Sequence, residues 1–235
     1  MPASVVDALP GGGSRSLEVR WIRRGAVPQA LVGRFGPFRE PIERREDRYL
    51  VDPRAPDLGV KIRGSVQLDL KAYRGSPGRL RLPGGGGALE LWEKWTFPLA
   101  ATSPEAGAAG WVVLGKSRRR RAFELTGAGL VERKVSTTFE AGCAVELTEV
   151  DSGGGVWWTL AFEATGPPEM LEPSIMACAA RLLDRPLPGG TVLTSRTSMS
   201  YARWLSQRSL LHASAVAPGS ASRLPEAGVM TLPRS

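Results

Sequence analysis

The chain has 235 residues, 42% of them hydrophobic and 23% charged, with a formal net charge of +8. This is enough apolar material for one large domain, and the positive sign favours anionic partners such as nucleic acid, acidic lipid or phosphorylated small molecules. A single histidine, His212, and two cysteines without CxxC spacing argue against a His-based zinc site, a Ser-His-Asp triad and a Cys-His pair; any metal would sit on carboxylates, which suits Mg²⁺, Mn²⁺ or Ca²⁺.

Residues 1–16 lack the basic and apolar regions of a secretory signal and read as a flexible lead. No apolar run reaches the ~18 residues of a membrane helix, so the expected location is the cytoplasm and no membrane partner is expected. From residue 17 the sequence alternates with period two, the mark of strands with two different faces. Leu17, Val19 and Trp21 stand opposite Glu18 and Arg20. Val60 and Ile62 stand opposite Lys61 and Arg63, and Leu68 and Leu70 opposite Asp69 and Lys71. Leu89, Leu91 and Trp95 oppose Glu90, Trp92 and Lys94. Phe123 and Leu125 oppose Arg118, Arg120 and Glu124, while Val131 and Val135 oppose Glu132 and Lys134. Cys143, Val145 and Leu147 oppose Glu146 and Thr148; Trp158, Leu160 and Phe162 oppose Trp157, Thr159 and Glu163. Gly- and Ser-rich clusters at 74–78, 84–87, 127–129 and 152–155 separate the runs.

After Gly166 the period becomes helical. Leu171, Ile175, Cys178, Ala179 and Leu182 form one stripe; Tyr201, Trp204, Leu205 and Leu211 form a second. About eight strands followed by two helices predict a mainly β (α+β) fold, an antiparallel meander or barrel with the C-terminal helices packed outside. One domain over 17–212 is expected, with strands over 17–165, helices over 167–212 and a flexible tail over 213–235. Cys143 and Cys178 read as two buried free thiols.

The charged face has two readings. A half-buried strand ordinarily keeps its polar face in water. Here, however, nearly every strand is charged on that face, both signs interleave and bases outnumber acids, and in a barrel one face is an inside. If it points inward, Arg20, Lys61, Arg63, Lys71, Lys94, Arg118, Arg120 and Lys134 converge on one cavity with Glu18, Asp69, Glu90, Glu124, Glu132, Glu146 and Glu163. Unpaired buried charge is unstable, so such a cavity calls for a highly charged occupant, and a polyphosphate suits it. On this reading Leu68, Leu70, Phe123, Val145, Leu160 and Phe162 face a packed outer shell.

The order of these elements resembles the CYTH family, the triphosphate tunnel metalloenzymes. The resemblance covers 17–165 and runs through the acidic first strand, Asp-Arg-Tyr-Leu-Val-Asp-Pro at 47–53 and Gly-Val-Lys-Ile-Arg-Gly at 59–64. It continues through Leu-Asp-Leu-Lys-Ala-Tyr-Arg-Gly at 68–75, Trp-Glu-Lys-Trp-Thr-Phe at 92–97, the arginines at 118–121, Glu-Arg-Lys-Val-Ser at 132–136 and the carboxylate strands at 145–150 and 157–163. It implies an eight-stranded tunnel in which inward Arg and Lys hold a triphosphate, with Mg²⁺ or Mn²⁺ on inward acids. By this resemblance Lys61, Arg63, Lys71, Lys94, Arg120 and Lys134 match phosphate-binding positions, and Glu18, Glu146 and Glu163 match metal positions. Arg20 and Arg118 join the phosphate set through their place on the inward face. Glu18 and Arg20 stand where the family carries ExExK, and Ala161 where its last strand carries an acid. The implied function is binding and hydrolysis of a triphosphate-containing small molecule; the alternative is a non-catalytic module that binds an anion or RNA.

Two other motifs stand in the chain. Residues 110–117 fit G-x-x-x-x-G-K-S, but Trp111, Val112, Val113 and Leu114 read as a strand, too bulky for a loop that wraps phosphate. The basic run Lys116–Arg121 reads either as a nucleic-acid patch or as a strand end with half of its side chains turned inward.

Overall fold

The computed structural model of the protein describes residues 13–34, 40–83, 85–99 and 110–216. Most of the expected lead and tail, 1–12 and 217–235, lies outside the described residues. The strands are β1 (Ser14–Arg24), β2 (Glu43–Leu50), β3 (Leu58–Arg63), β4 (Gln67–Leu82), β5 (Gly85–Pro98), β6 (Trp111–Thr126), β7 (Gly129–Arg133), β8 (Gly142–Asp151) and β9 (Val156–Thr165). They form a 9-stranded sheet in the order β2-β3-β4-β5-β1-β9-β8-β6-β7, and β2 also pairs with β6. That second pairing closes eight strands into an antiparallel barrel, which removes the exposed edges an open sheet would present. β7 is left outside the circle, a hairpin partner for the far end of β6.

Two boundaries differ from the sequence reading. β1 begins at Ser14, inside the expected lead, because Ser14 to Glu18 pair in register with Lys94 to Glu90. The strand expected to continue through Lys134 and Val135 stops at Arg133, where the Lys134 carbonyl accepts the Thr137 N–H at 2.9 Å and turns the chain. Residues 111–117 run extended within β6, paired to β2, so the Gly-Lys-Ser sequence belongs to a strand.

The alternation sorts the two faces. Leu17, Val19, Trp21, Phe123, Cys143, Val145, Leu160 and Phe162 form the outer core with Leu171, Ile175, Cys178 and Ala179 of α2 (Pro168–Leu182). Pro168 opens that helix, where its missing N–H would have had no partner. A short helix, α1 (Gln29–Arg34), adds the fully buried Leu31 to the same cluster. Leu68 and Leu70 lie opposite Asp69 but are only half-buried: α2 packs on β1, β6, β8 and β9, and from β4 the outer core takes in Leu80 at the other end of the strand. Cys143 and Cys178 are both free and buried; burial first, then the neighbouring Cys178, pushes the Cys143 thiol well up.

The third helix, α3 (Tyr201–Val216), does something else. Ile22, Tyr49, Leu114 and Val150 share the strand phase of the inward residues and gather at one end of the barrel. Tyr201, Trp204 and Leu205 pack on them, so the first turns of α3 cover that end. The approach to the helix is tied down by Met199 N–H donating to the Arg20 carbonyl at 2.9 Å and Ala88 N–H donating to Ser198 Oγ at 3.1 Å. Gly87 permits this contact: a Cβ there would lie 2.6 Å from Val19 Cγ2 and 2.8 Å from Ser198 Oγ. Among the described residues no helix is long and apolar enough to cross a membrane.

Candidate anion-binding site

Because one face of each strand turns inward, the barrel encloses a cavity of about 130 Å³ lined by eight basic and five acidic side chains. Arg20, Lys61, Arg63, Lys71, Lys94 and Arg118 are all in that lining, as are Glu18, Glu146 and Glu163. Arg120 sits to one side, 39% exposed, with its guanidinium 3.1 Å from Glu43. Lys134 is not brought in. It stands exposed on the turn after β7, since the strand that would have aimed it inward has ended. Glu124 and Glu132 also stay out of the lining; they pair with Arg133 and Arg121 on the β6–β7 hairpin.

The charges are not spread evenly. On the β3–β4–β5 wall one buried carboxylate, Asp69, faces three cations: Arg63 at 2.8 Å, Lys61 at 3.5 Å and Lys94 at 3.6 Å. Gln67 and Thr96 donate to its Oδ1, the oxygen that Lys94 also faces, at 2.6 and 3.0 Å. Burial alone would raise the Asp69 pKa, but Lys61, Gln67, Arg63 and Lys94 hold it well below the usual carboxylate range. Lys61 carries the opposite strain: burial, then Lys116 and Arg63, lowers it to about 7 against the partial support of Asp47 and Asp69. The local charge is an excess of cation.

Across the cavity, Glu146 on β8 is enclosed. Its Oε2 accepts Arg118 at 2.8 Å; its Oε1 accepts Thr148 Oγ1 at 2.9 Å and Arg20 at 3.4 Å. Burial would raise Glu146, but Arg20, Arg118 and Lys116 keep it ionised far below its ordinary range. The Arg20 guanidinium also takes a bond to Thr159 Oγ1 at 3.2 Å and lies over the Tyr201 ring at 4.5 Å. Lys71 Nζ of β4 bonds Glu18 of β1 and lies 3.3 Å from Glu163 of β9. Lys71 and then burial act in opposite directions on Glu163, and its pKa falls to about 2.

Five lining or supporting residues were missed by the sequence reading. Lys116 Nζ lies 2.9 Å from Asp47 Oδ2 and donates to Tyr49 Oη at 2.6 Å, with the Tyr201 ring 4.0 Å away. Burial lowers its pKa to about 8 even with Asp47 and Glu146 nearby. Arg45 braces Asp47 at 3.1 Å. Lys116 shares the phase of Arg118 and Arg120, so period-two alternation is the signal that marks it as inward. Arg45, Asp47 and Tyr49 alternate within Glu43–Leu50, a strand whose inward and outward sides are both charged and so give no apolar face to read. Tyr201 reaches the cavity from a helix, which no strand pattern shows.

The acids do not fit a divalent metal as they are arranged. Glu146 spends both oxygens on Arg20, Arg118 and Thr148, and Glu18 and Glu163 share one lysine. Among the described residues no three His, Cys, Asp or Glu side chains converge as a metal-binding group. Glu18, Glu146 and Glu163, the acids expected to share a metal, all line the cavity, and each faces a fixed cation.

The chain matches no protein-family model and no curated protein. Among solved structures it is similar to HpAC1 from Hippeastrum, an adenylyl cyclase candidate described as having a dominant triphosphatase activity, with 16% identity over 71% of this chain and 87% of that one, at a TM-score of 0.33. It is similar to an adenylate cyclase candidate from Bacillus halodurans, with 10% identity over 76% and 96% of the two chains, TM-score 0.38. A third is the PH1819 protein from Pyrococcus horikoshii, 12% identical over 81% and 99%, TM-score 0.41.

Proposed function

We propose that the protein binds a small triphosphate-containing anion inside the barrel. The observation that carries this reading is the Asp69 cluster, in which one carboxylate orients Lys61, Arg63 and Lys94 and leaves their combined charge unbalanced. Cations fixed in a partly desolvated cavity hold an anion more strongly than the same cations in water. Arg118 and Lys116 on the far wall add contacts for the other end of a chain of phosphates. A threaded RNA strand fits less well, because α3 covers one end of the barrel.

The test is thermal. A ligand that binds only the folded state raises Tm by mass action. Tripolyphosphate at low salt is expected to raise it by several degrees, pyrophosphate by less, and single phosphate least. Changing Lys61 and Lys94 together to Gln is expected to erase the tripolyphosphate shift, since each charge-assisted contact is worth about 1.5–3 kcal/mol. Equal shifts for the three anions, or an unchanged shift in the double variant, would refute the reading. Release of phosphate from tripolyphosphate, with and without Mg²⁺ or Mn²⁺, separates hydrolysis from binding alone.

A further inference from the structure

We propose that Arg20 and Lys71 are built-in counter-cations that take the place of a divalent metal ion, so that the cavity binds polyphosphate without one. The inference rests on the anion-binding reading above and deepens it.

The register shows how the replacement is built. Glu18 on β1 stands directly opposite Glu163 on β9, and Arg20 stands opposite Ala161, which in turn stands opposite Glu146 on β8. The inward row is thus Arg20, Ala161, Glu146. The methyl group of Ala161 leaves the space between its neighbours open, and the long Arg20 side chain spans it to reach Glu146. An acid at either position 20 or position 161 would instead add a carboxylate to that row, as a metal site needs. Lys71 does the equivalent work one step along the strands, bonding Glu18 and Glu163 with a single ammonium.

Arg20 is also locked in place. It is partly buried, it donates to Thr159, and Tyr201 of α3 lies under its guanidinium. Mg²⁺ demands near-octahedral oxygen ligation and rarely gives up its waters. To bind here it would have to displace a guanidinium from Glu146 or an ammonium from Glu18 and Glu163, leaving a buried cation without its partner, which costs several kcal/mol. The two fixed charges together equal that of one divalent ion, and they are already in position when the anion arrives.

The test uses the whole chain and two probes, Mn²⁺ alone and tripolyphosphate. Free Mn²⁺ is read by electron paramagnetic resonance as protein is added, and tripolyphosphate affinity by calorimetry in EDTA and in Mg²⁺. The expected result is no stoichiometric Mn²⁺ binding below about 1 mM. Tripolyphosphate should bind in EDTA at least as tightly as in Mg²⁺, because free Mg²⁺ competes for the ligand. Ala161→Glu, which puts an acid between Arg20 and Glu146, is expected to weaken tripolyphosphate in EDTA by tenfold or more, about 1.4 kcal/mol. The inference is overturned if wild-type protein takes up Mn²⁺ at micromolar levels and Glu146→Gln abolishes that uptake, or if tripolyphosphate binds only when a divalent ion is present. In the second case the anion-binding reading survives; absence of binding in both EDTA and Mg²⁺ would refute that reading and this inference together. The wild-type measurements decide the matter even if Ala161→Glu fails to fold.

Discussion

Lys61 and Asp69 face each other across the β3–β4 pair with their charges 3.5 Å apart, and Asp69 is the only carboxylate paired with Lys61, Arg63 and Lys94 among the described residues. Removing the acid leaves three buried or half-buried cations facing one another. Asp69→Asn is therefore expected to destabilise the protein by about 3–5 kcal/mol, the usual cost of stranding a buried charge. Tripolyphosphate, which supplies the missing negative charge, should then raise Tm by more in the variant than in the wild type. A variant that melts like the wild type would show that the cluster is already solvated.

The second prediction follows from Lys61, whose pKa is lowered from 10.5 to about 7. Between those values the unfolded chain holds a proton that the folded chain has given up, so this residue makes stability rise with pH from about 7 to 10.5. Below pH 7 the folded protein carries the full cost of a buried charged lysine. A bound polyanion reverses the balance and restores the charge. At pH 7.5 binding should take up a fraction of a proton at Lys61, seen as a binding enthalpy that changes between buffers of different ionisation heat. Lys61→Gln should remove that part of the dependence, and wild-type affinity should fall as pH rises towards 9. An identical buffer dependence in both proteins would contradict this.

How much of this could be read from the amino-acid string alone differs by element. The outer face of β1, β8 and β9 was legible because Leu17, Val19, Cys143, Val145, Leu160 and Phe162 alternate with charge, and α2 then buries that face. Lys61, Arg63, Lys71 and Lys94 were legible as an inward set for the same reason. Lys134 was not, because period two says nothing about where a strand ends, and a turn hydrogen bond ends it at Arg133. The inward orientation of Arg45, Asp47 and Tyr49 was hidden by a strand charged on both faces. The pairing of Glu146 with Arg20 depends on cross-strand register, which is set by tertiary packing and is invisible in local sequence.

The third prediction separates the two helices. Ile175 is buried where α2 meets the outer core, and Trp204 is buried where α3 covers the barrel end. Ile175→Ala should cost about 2–5 kcal/mol and Trp204→Ala about 3–5 kcal/mol. Only the second should weaken tripolyphosphate, because Trp204 packs edge-on to Tyr201, with ring centroids 6.0 Å apart, and Tyr201 holds Arg20. Affinity unchanged in both, at matched folded fraction, would detach α3 from the site.

The fourth concerns acid. Glu163 falls to about 2, and Asp69 and Glu146 lie well below the ordinary carboxylate range. Groups lowered in this way stabilise the fold above their unfolded pKa and lose that contribution as pH falls through the folded value. Stability should decline from about pH 4.5 downward, and Glu163→Gln should flatten that decline. An acid melt that is the same with and without Glu163 would contradict the role of its pairing with Lys71.

The central claim is that the inside of the barrel is the anion site, and titration calorimetry of tripolyphosphate tests it most directly. The comparison is between the wild type and a variant carrying Lys61→Gln, Arg63→Gln and Lys94→Gln, both in EDTA at low salt. The account predicts one site per chain in the wild type and at least a 100-fold loss in the variant, about 2.7 kcal/mol. It also predicts that the same number of substitutions on arginines outside the cavity lining, Arg79, Arg81 and Arg119, will change affinity by less than about threefold. Equal losses in the two variants, or several weak sites per chain in the wild type, would place the anion on the outer surface and contradict the account.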